Sequence, residues 1–171
     1  MNDLTTKLQK IKLVIFDVDG VLTDNTVFIG PEGCEFKRFC IADGLGIYIA
    51  KKNGVRTAFL SGRPSQATLE RARELDIDDV FAEPINKLEF YNRLKTKYNL
   101  ADENIAFMGN DLVDLGVMKQ CGLAFAVPES PKSVLAEADY ITRKDGGFGA
   151  AREALDLIMD AIGVKEEERL A

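Results

Sequence analysis

The sequence predicts an α/β fold of three layers, α/β/α, with a mostly parallel central sheet, and three observations carry that prediction. Short apolar runs such as LVIF, TAFL, IAFM and LAFAV alternate with helical stretches along the whole chain, and that alternation requires parallel strands joined by crossover helices. Leu13 to Phe16 is an unbroken apolar run of the kind that fills a strand buried on both faces. The chain has 171 residues, 46% of them apolar, which suits one domain with one core, and it contains no repeat, linker or low-complexity tract.

Composition excludes several chemistries. A net charge of −6, with basic residues scattered among acidic ones, argues against a nucleic-acid surface. There is no run of membrane-spanning length, and MNDLTTKLQK has no apolar signal core, so no membrane partner is expected and the location expected is the cytoplasm. The three cysteines, Cys34, Cys40 and Cys121, are too few and too irregular for a disulfide framework or a zinc site and read as reduced, mostly buried thiols. Histidine is absent, which removes Ser-His-Asp and Cys-His catalysis and any His-bound metal.

In chain order, β-rich pieces TVFIG and EFKRFC flank Pro31-Glu32-Gly33 and predict a hairpin projecting from the sheet. Ile41 to Asn53 reads as a helix with Ile47, Ile49 and Ala50 as its apolar stripe, closed by Asn53-Gly54. Val55 to Leu60 is the second sheet strand and Gln66 to Leu75 the helix after it. Val80-Phe81-Ala82 is a short strand, and Asn86-Lys87 opens a helix to about Tyr98. Ile105 to Met108 is a strand, Leu115 to Cys121 a helix, and Leu123 to Val127 a strand. A loop and short helix over Pro128 to Ala138 lead to a last strand, Tyr140 to Thr142. Gly146 to Ala150 reads as a flexible turn. Ala151 to Ile162 is amphipathic, with Ala154, Leu155, Ile158 and Ile162 on one face, and the polar tail KEEERLA is expected to fray.

Four strand ends carry polar groups. Asp17 and Asp19 lie two apart on extended chain and converge, Gly20 allows a sharp turn after them, and a hard dication such as Mg²⁺ offsets their repulsion. A lone Asp-x-Asp would as readily be a turn. Ser61-Gly62 offers a hydroxyl and free N–H groups to a phosphate, or caps the next helix. Lys87 at a helix start is either solvated or placed to neutralise a nucleophile and a phosphoryl group. Asn110, Asp111 and Asp114 bring oxygens to a further tip, where Asp114 could equally cap a helix.

The string DVDGVLTD resembles the first motif of the haloacid dehalogenase superfamily, hhhhDxDx[TV][LV]T, and Ser61, Lys87 and Asn110/Asp111/Asp114 follow in that superfamily's order, from about Lys10 to Ile162. The resemblance implies a Rossmann-like core that uses Mg²⁺. It casts Asp17 as nucleophile and Asp19 as acid and base, with the Asp17 carboxylate and the Asp19 main-chain carbonyl on the metal and Asn110, Asp111 or Asp114 completing its shell. Ser61 and Gly62 would grip phosphoryl oxygens, Lys87 would neutralise charge, and Thr23, Asp43 and Arg63 would join the substrate-binding set. Only 44 positions separate Asp17 from Ser61, and 26 separate Ser61 from Lys87. Neither interval holds a cap domain, which needs about 50 residues or more, so the chain looks like a capless member whose hairpin, about 26–39, serves as an oligomer contact or a lid.

Within that group the segments FCIADGLGI, SGR, Ile85-Asn86-Lys87 and ADYITRKDGGFGAAREALDLI are similar to the family of 3-deoxy-D-manno-octulosonate 8-phosphate phosphatases. That similarity implies a phosphorylated sugar acid as substrate, a homotetramer and a place in lipopolysaccharide biosynthesis. Ala42 and Phe148 stand where the family often has arginine, which leaves Arg38, Arg63 or Arg143 for a substrate carboxylate, and Asn110 stands in place of an aspartate. A nonulosonate 9-phosphate or another sugar phosphate is an alternative substrate. An inert module, related to those fused to acylneuraminate cytidylyltransferases, is the reading from another class.

Overall fold

In the computed structural model, which describes residues 3–83 and 86–170, strand β1 (Leu13–Phe16) has every side chain fully buried. Its residues alternate between two hydrophobic clusters. Val14 and Phe16 pack beneath Ile47, Ala50, Leu155 and Ile158, whereas Leu13 and Ile15 pack against Phe90, Tyr91, Leu94 and Val117. An extended chain turns successive side chains to opposite faces, so an all-apolar strand needs cover on both, and the helices supply it in two layers.

The elements are α1 (Asp3–Leu8), β1, a small hairpin of β2 (Phe28–Ile29) and β3 (Glu35–Phe36), α2 (Ile41–Lys52), β4 (Arg56–Ser61), α3 (Gln66–Glu74), β5 (Asp79–Ala82) and α4 (Lys87–Lys97). They continue with β6 (Ile105–Gly109), α5 (Leu115–Met118), β7 (Leu123–Ala126), α6 (Lys132–Glu137), β8 (Tyr140–Ile141) and α7 (Ala150–Ala161). The six-stranded sheet has the order β5-β4-β1-β6-β7-β8, and each neighbouring pair in it is parallel. Among the described residues the hairpin forms its own two-stranded antiparallel sheet, with Phe28 opposite Phe36.

Register decides where the chemistry lies. Phe16 is level with Phe59 on one side and Met108 on the other, and Asp17 N donates to Met108 O at 2.9 Å. The chain therefore leaves β1, β4 and β6 at Asp17, Ser61 and Gly109 along one rim, the carboxyl ends of parallel strands, where ligands of open α/β sheets bind.

Several expectations change. Ser65, not Ser61, caps α3, its hydroxyl accepting from Thr68 N. The expected flexible turn at Gly146-Gly147 is pressed on the first motif: Gly147 N donates to Val21 O at 2.9 Å, and a Cβ on Gly146 would stand 1.9 Å from Gly20 O. The tail is fastened rather than frayed, because the buried Arg169 pairs with Asp156 and Asp160, and Lys52 donates to Leu170 O at 2.7 Å. The cysteines are free, with Cys34 exposed and the other two half-buried. Of the expected Ile85-Asn86-Lys87 segment, Ile85 lies outside the described residues, and Asn86 caps α4 by accepting from Leu88 N.

Candidate active site

At the tip of β1, Asp17 is buried, its Oδ1 accepting from Val18 N at 2.8 Å and meeting Lys87 Nζ at 2.9 Å. Lys87, buried at the first turn of α4, also donates to Asp114 Oδ1 at 2.6 Å. One ammonium thus lies between two carboxylates that water barely reaches. Burial pushes the Asp17 carboxyl up to about 7; the Lys87 charge opposes that, the Asp114 charge adds to it, and the Val18 N–H opposes it. Burial alone would lower the Lys87 ammonium, but Asp17 and Asp114 outweigh it and hold the pKa above its ordinary value.

The Asn110 side-chain amide faces Asp17 Oδ2 at 3.1 Å and the Asp19 main-chain oxygen at 3.0 Å. With its NH₂ inward the amide donates to both. With its oxygen inward, three acceptors face one another with no proton between them, an arrangement a cation resolves. Oxygens about 2.0–2.1 Å from Mg²⁺ in an octahedron lie ~2.9 Å apart along an edge, so the observed separations fit the dication. Only glycine fits beneath this corner: Gly20 has φ +91, and a Cβ there would stand 2.1 Å from Asn110 Nδ2.

Asp111 and Asp114, also expected near the metal, do not share that oxygen cluster. Asp111 is exposed and caps the turn after β6 through Leu112 N. Asp114 is fully buried with both oxygens engaged, Oδ1 by Lys87 and Oδ2 by the N–H groups of Asn110 and Asp111. It therefore positions Asn110 and Lys87. Two expected substrate contacts, Thr23 and Asp43, are engaged by main-chain groups of the fold. Thr23 is fully buried, and its hydroxyl accepts from Gly20 N and Asn25 N, folding the loop after β1. Asp43, in the first turn of α2, is buried against the start of α7 and accepts from Arg152 N at 2.8 Å, so it holds the two helices together. Burial pushes its carboxyl up, against the N–H groups of Arg152 and Gly149.

Ser61 is buried at the end of β4 and Gly62 is exposed beside it; the Ser61 hydroxyl donates to Arg63 O at 3.1 Å and accepts from Arg63 N at 3.2 Å. The Arg63 guanidinium pairs with Glu35, and Arg38 lies 4.0 Å over the Phe148 ring and 2.9 Å from Asp24 Oδ2. Arg143 is exposed beside α7, its N–H donating to Glu153.

Two residues near this rim escaped the sequence reading. Lys37 and Glu35 come from the hairpin, and Lys37 Nζ stands 2.6 Å from Asp19 Oδ1. The available signal was the EFKRF pattern, in which Glu35 and Lys37 share one face of a strand whose other face shows Phe36.

A strand-borne carboxylate facing a lysine, beside a corner of carboxylate, carbonyl and amide groups on one rim of a parallel sheet, suits cation-assisted phosphoryl transfer. Residues 77–151 match the model of a family described as haloacid dehalogenase-like hydrolase. The 3-deoxy-D-manno-octulosonate 8-phosphate phosphatase of Escherichia coli (strain K12) is 38% identical over 167 residues, 98% of this chain and 89% of that one. The crystal structure of the enzyme of that name from Moraxella catarrhalis, in complex with magnesium, phosphate and KDO, superposes with a TM-score of 0.90 at 37% identity, covering 94% of this chain and 92% of that one. A cobalt-bound form from Haemophilus influenzae superposes with a TM-score of 0.89 at 38% identity, covering 92% of each chain. The chain belongs to the 3-deoxy-D-manno-octulosonate 8-phosphate phosphatase family of haloacid dehalogenase-like hydrolases. Among the described residues, no helix is long and apolar enough to cross a membrane.

Proposed function

We propose that this protein is a single-domain, Mg²⁺-dependent phosphatase of the cytoplasm that hydrolyses 3-deoxy-D-manno-octulosonate 8-phosphate through an aspartyl-phosphate on Asp17. The observation that carries the reading is the joint placement of Asp17, 2.9 Å from Lys87 Nζ, and of the corner where the Asn110 amide meets Asp17 Oδ2 at 3.1 Å and Asp19 O at 3.0 Å. Bound there, Mg²⁺ would screen the phosphoryl oxygens and keep Asp17 ionised.

The Asp17 carboxylate attacks phosphorus in line and the bond to the sugar oxygen breaks, while Asp19 gives that oxygen a proton. Asp19, now ionised, takes a proton from water as the water attacks the phosphorus of the aspartyl-phosphate. The O–P bond to Asp17 breaks, inorganic phosphate leaves and Asp19 is again protonated. Lys87 balances the charge of Asp17, and Ser61 with the N–H of Gly62 receives the phosphoryl oxygens. Arg38 and Arg63, 43% and 44% exposed, are suited to the substrate carboxylate, which the Ala42 and Phe148 positions no longer serve. The exposed apolar hairpin supports assembly into a homotetramer.

Asp17→Asn keeps the size and removes the nucleophile. Turnover of 3-deoxy-D-manno-octulosonate 8-phosphate with Mg²⁺ should fall by about 10⁴-fold or more in this variant; comparable turnover would refute the mechanism. If a nonulosonate 9-phosphate is turned over with higher kcat/KM by the unaltered protein, the substrate assignment moves to it.

A further inference from the structure

We infer that Lys37, carried by the hairpin, is a positioning residue for the proton-transferring carboxylate of Asp19, a role that rests on the proposed acid–base function of Asp19. The Lys37 side chain has no exposure at all, although β3 itself lies at the surface. A buried ammonium is tolerated only when its donors are matched. Here Nζ meets Asp19 Oδ1 at 2.6 Å, Thr68 Oγ1 of α3 at 3.2 Å and Glu35 Oε1 at 3.6 Å. Glu35 is anchored in turn, accepting from the Ser65 hydroxyl at 2.6 Å and pairing with Arg63. A chain of alternating charges, Asp19–Lys37–Glu35–Arg63, therefore runs from the loop after β1 to the loop after β4, and the hairpin supplies both middle members.

Asp19 lacks the tight hold that Asp17 has. Among the described residues Oδ1 is buried with no aligned hydrogen bond and the ammonium stands 2.6 Å from it, while the side chain as a whole keeps 26% exposure. With Oδ1 buried against the ammonium, the proton that Asp19 transfers belongs on Oδ2, in the exposed part of the side chain. Without Lys37 the Asp19 side chain is free to rotate, and a misdirected acid loses rate rather than substrate affinity.

General acid help matters for a sugar alkoxide and little for 4-nitrophenolate, and kcat/KM reports only steps up to departure of the leaving group. Lys37→Met should lower kcat/KM for the sugar phosphate by about 30-fold or more and for 4-nitrophenyl phosphate by less than about 3-fold. An equal fall for both substrates, or no fall for either, overturns the role of Lys37. If Lys37→Met does not fold, Thr68→Val removes one anchor of Nζ without removing the charge, and the same selective loss, about 3-fold or more, is expected; its absence overturns the inference. Asp19→Asn, measured alongside, separates the two ideas. An Asp19→Asn variant that stays active sinks the acid–base reading itself, whereas a selective loss in Asp19→Asn with none in Lys37→Met sinks only the inference.

Discussion

Lys87 holds the centre of the site as a counter-charge, 2.9 Å from Asp17 Oδ1 and 2.6 Å from Asp114 Oδ1 with all three side chains buried. Two carboxylates left facing each other at that depth would have no counter-ion. Lys87→Met is therefore expected to cost about 3–5 kcal/mol of stability, read by denaturant unfolding of the metal-free protein, and added Mg²⁺ should recover part of it by charging the same corner. The pKa of Asp17 gives a second prediction. Because burial lifts that carboxyl to about 7, a cation arriving below pH 7 has to displace a proton, and one arriving well above it does not. Mg²⁺ affinity should rise about tenfold per unit up to pH 7 and level off above it. Calorimetry in buffers of differing ionisation heat should detect proton release at pH 6 and almost none at pH 8.5.

Elements that looked passive in the sequence turn out to hold the site in shape. The Gly146-Gly147 loop reads as a flexible turn because glycines permit one, but here they are small so that one backbone can lie on another. With a Cβ of Gly146 only 1.9 Å from Gly20 O, Gly146→Ala must displace either this loop or the loop bearing Asp19. The expected cost is about 1–3 kcal/mol, with a kcat loss on the order of 10²-fold for a shift of ~1 Å, measured by thermal unfolding and steady-state kinetics on the same preparation. The hairpin is likewise divided in purpose. Phe28 and Phe36, opposite each other, are 63% and 61% exposed, whereas Glu35 and Lys37 turn inward to the loops after β1 and β4. One short ribbon thus presents an apolar face outward and a charged one to the site.

For the whole molecule, that outward face motivates the proposed tetramer. The ribbon exposes Phe28, Ile29 and Phe36, and a contiguous apolar surface is where subunits associate. Replacing Phe28 and Phe36 together by Asp should give a smaller species in light scattering after size exclusion while the helical signal is kept; a monomeric unaltered protein would refute the assembly. The layered fold and the rim were legible in the sequence because each rests on local rules. Apolar runs force buried parallel strands, and Asp17, Ser61, Lys87 and Asn110 each follow a strand end, so parallel register brings them to one side. The surroundings of Thr23 and Asp43 were not legible for the opposite reason: that they accept from the N–H groups of Gly20 and Arg152 depends on segments that only the fold brings together. Lys37 was missed because the EFKRF alternation shows which face it shares with Glu35 but not that the folded hairpin brings its ammonium within 2.6 Å of Asp19 Oδ1. The order of residues by itself determined which groups reach the carboxyl rim, since that depends on strand ends and handedness. Only the tertiary structure decided which of them face the proposed cation corner and which are engaged by neighbouring segments, since a carboxylate's surroundings depend on the donors that other segments bring within about 3 Å.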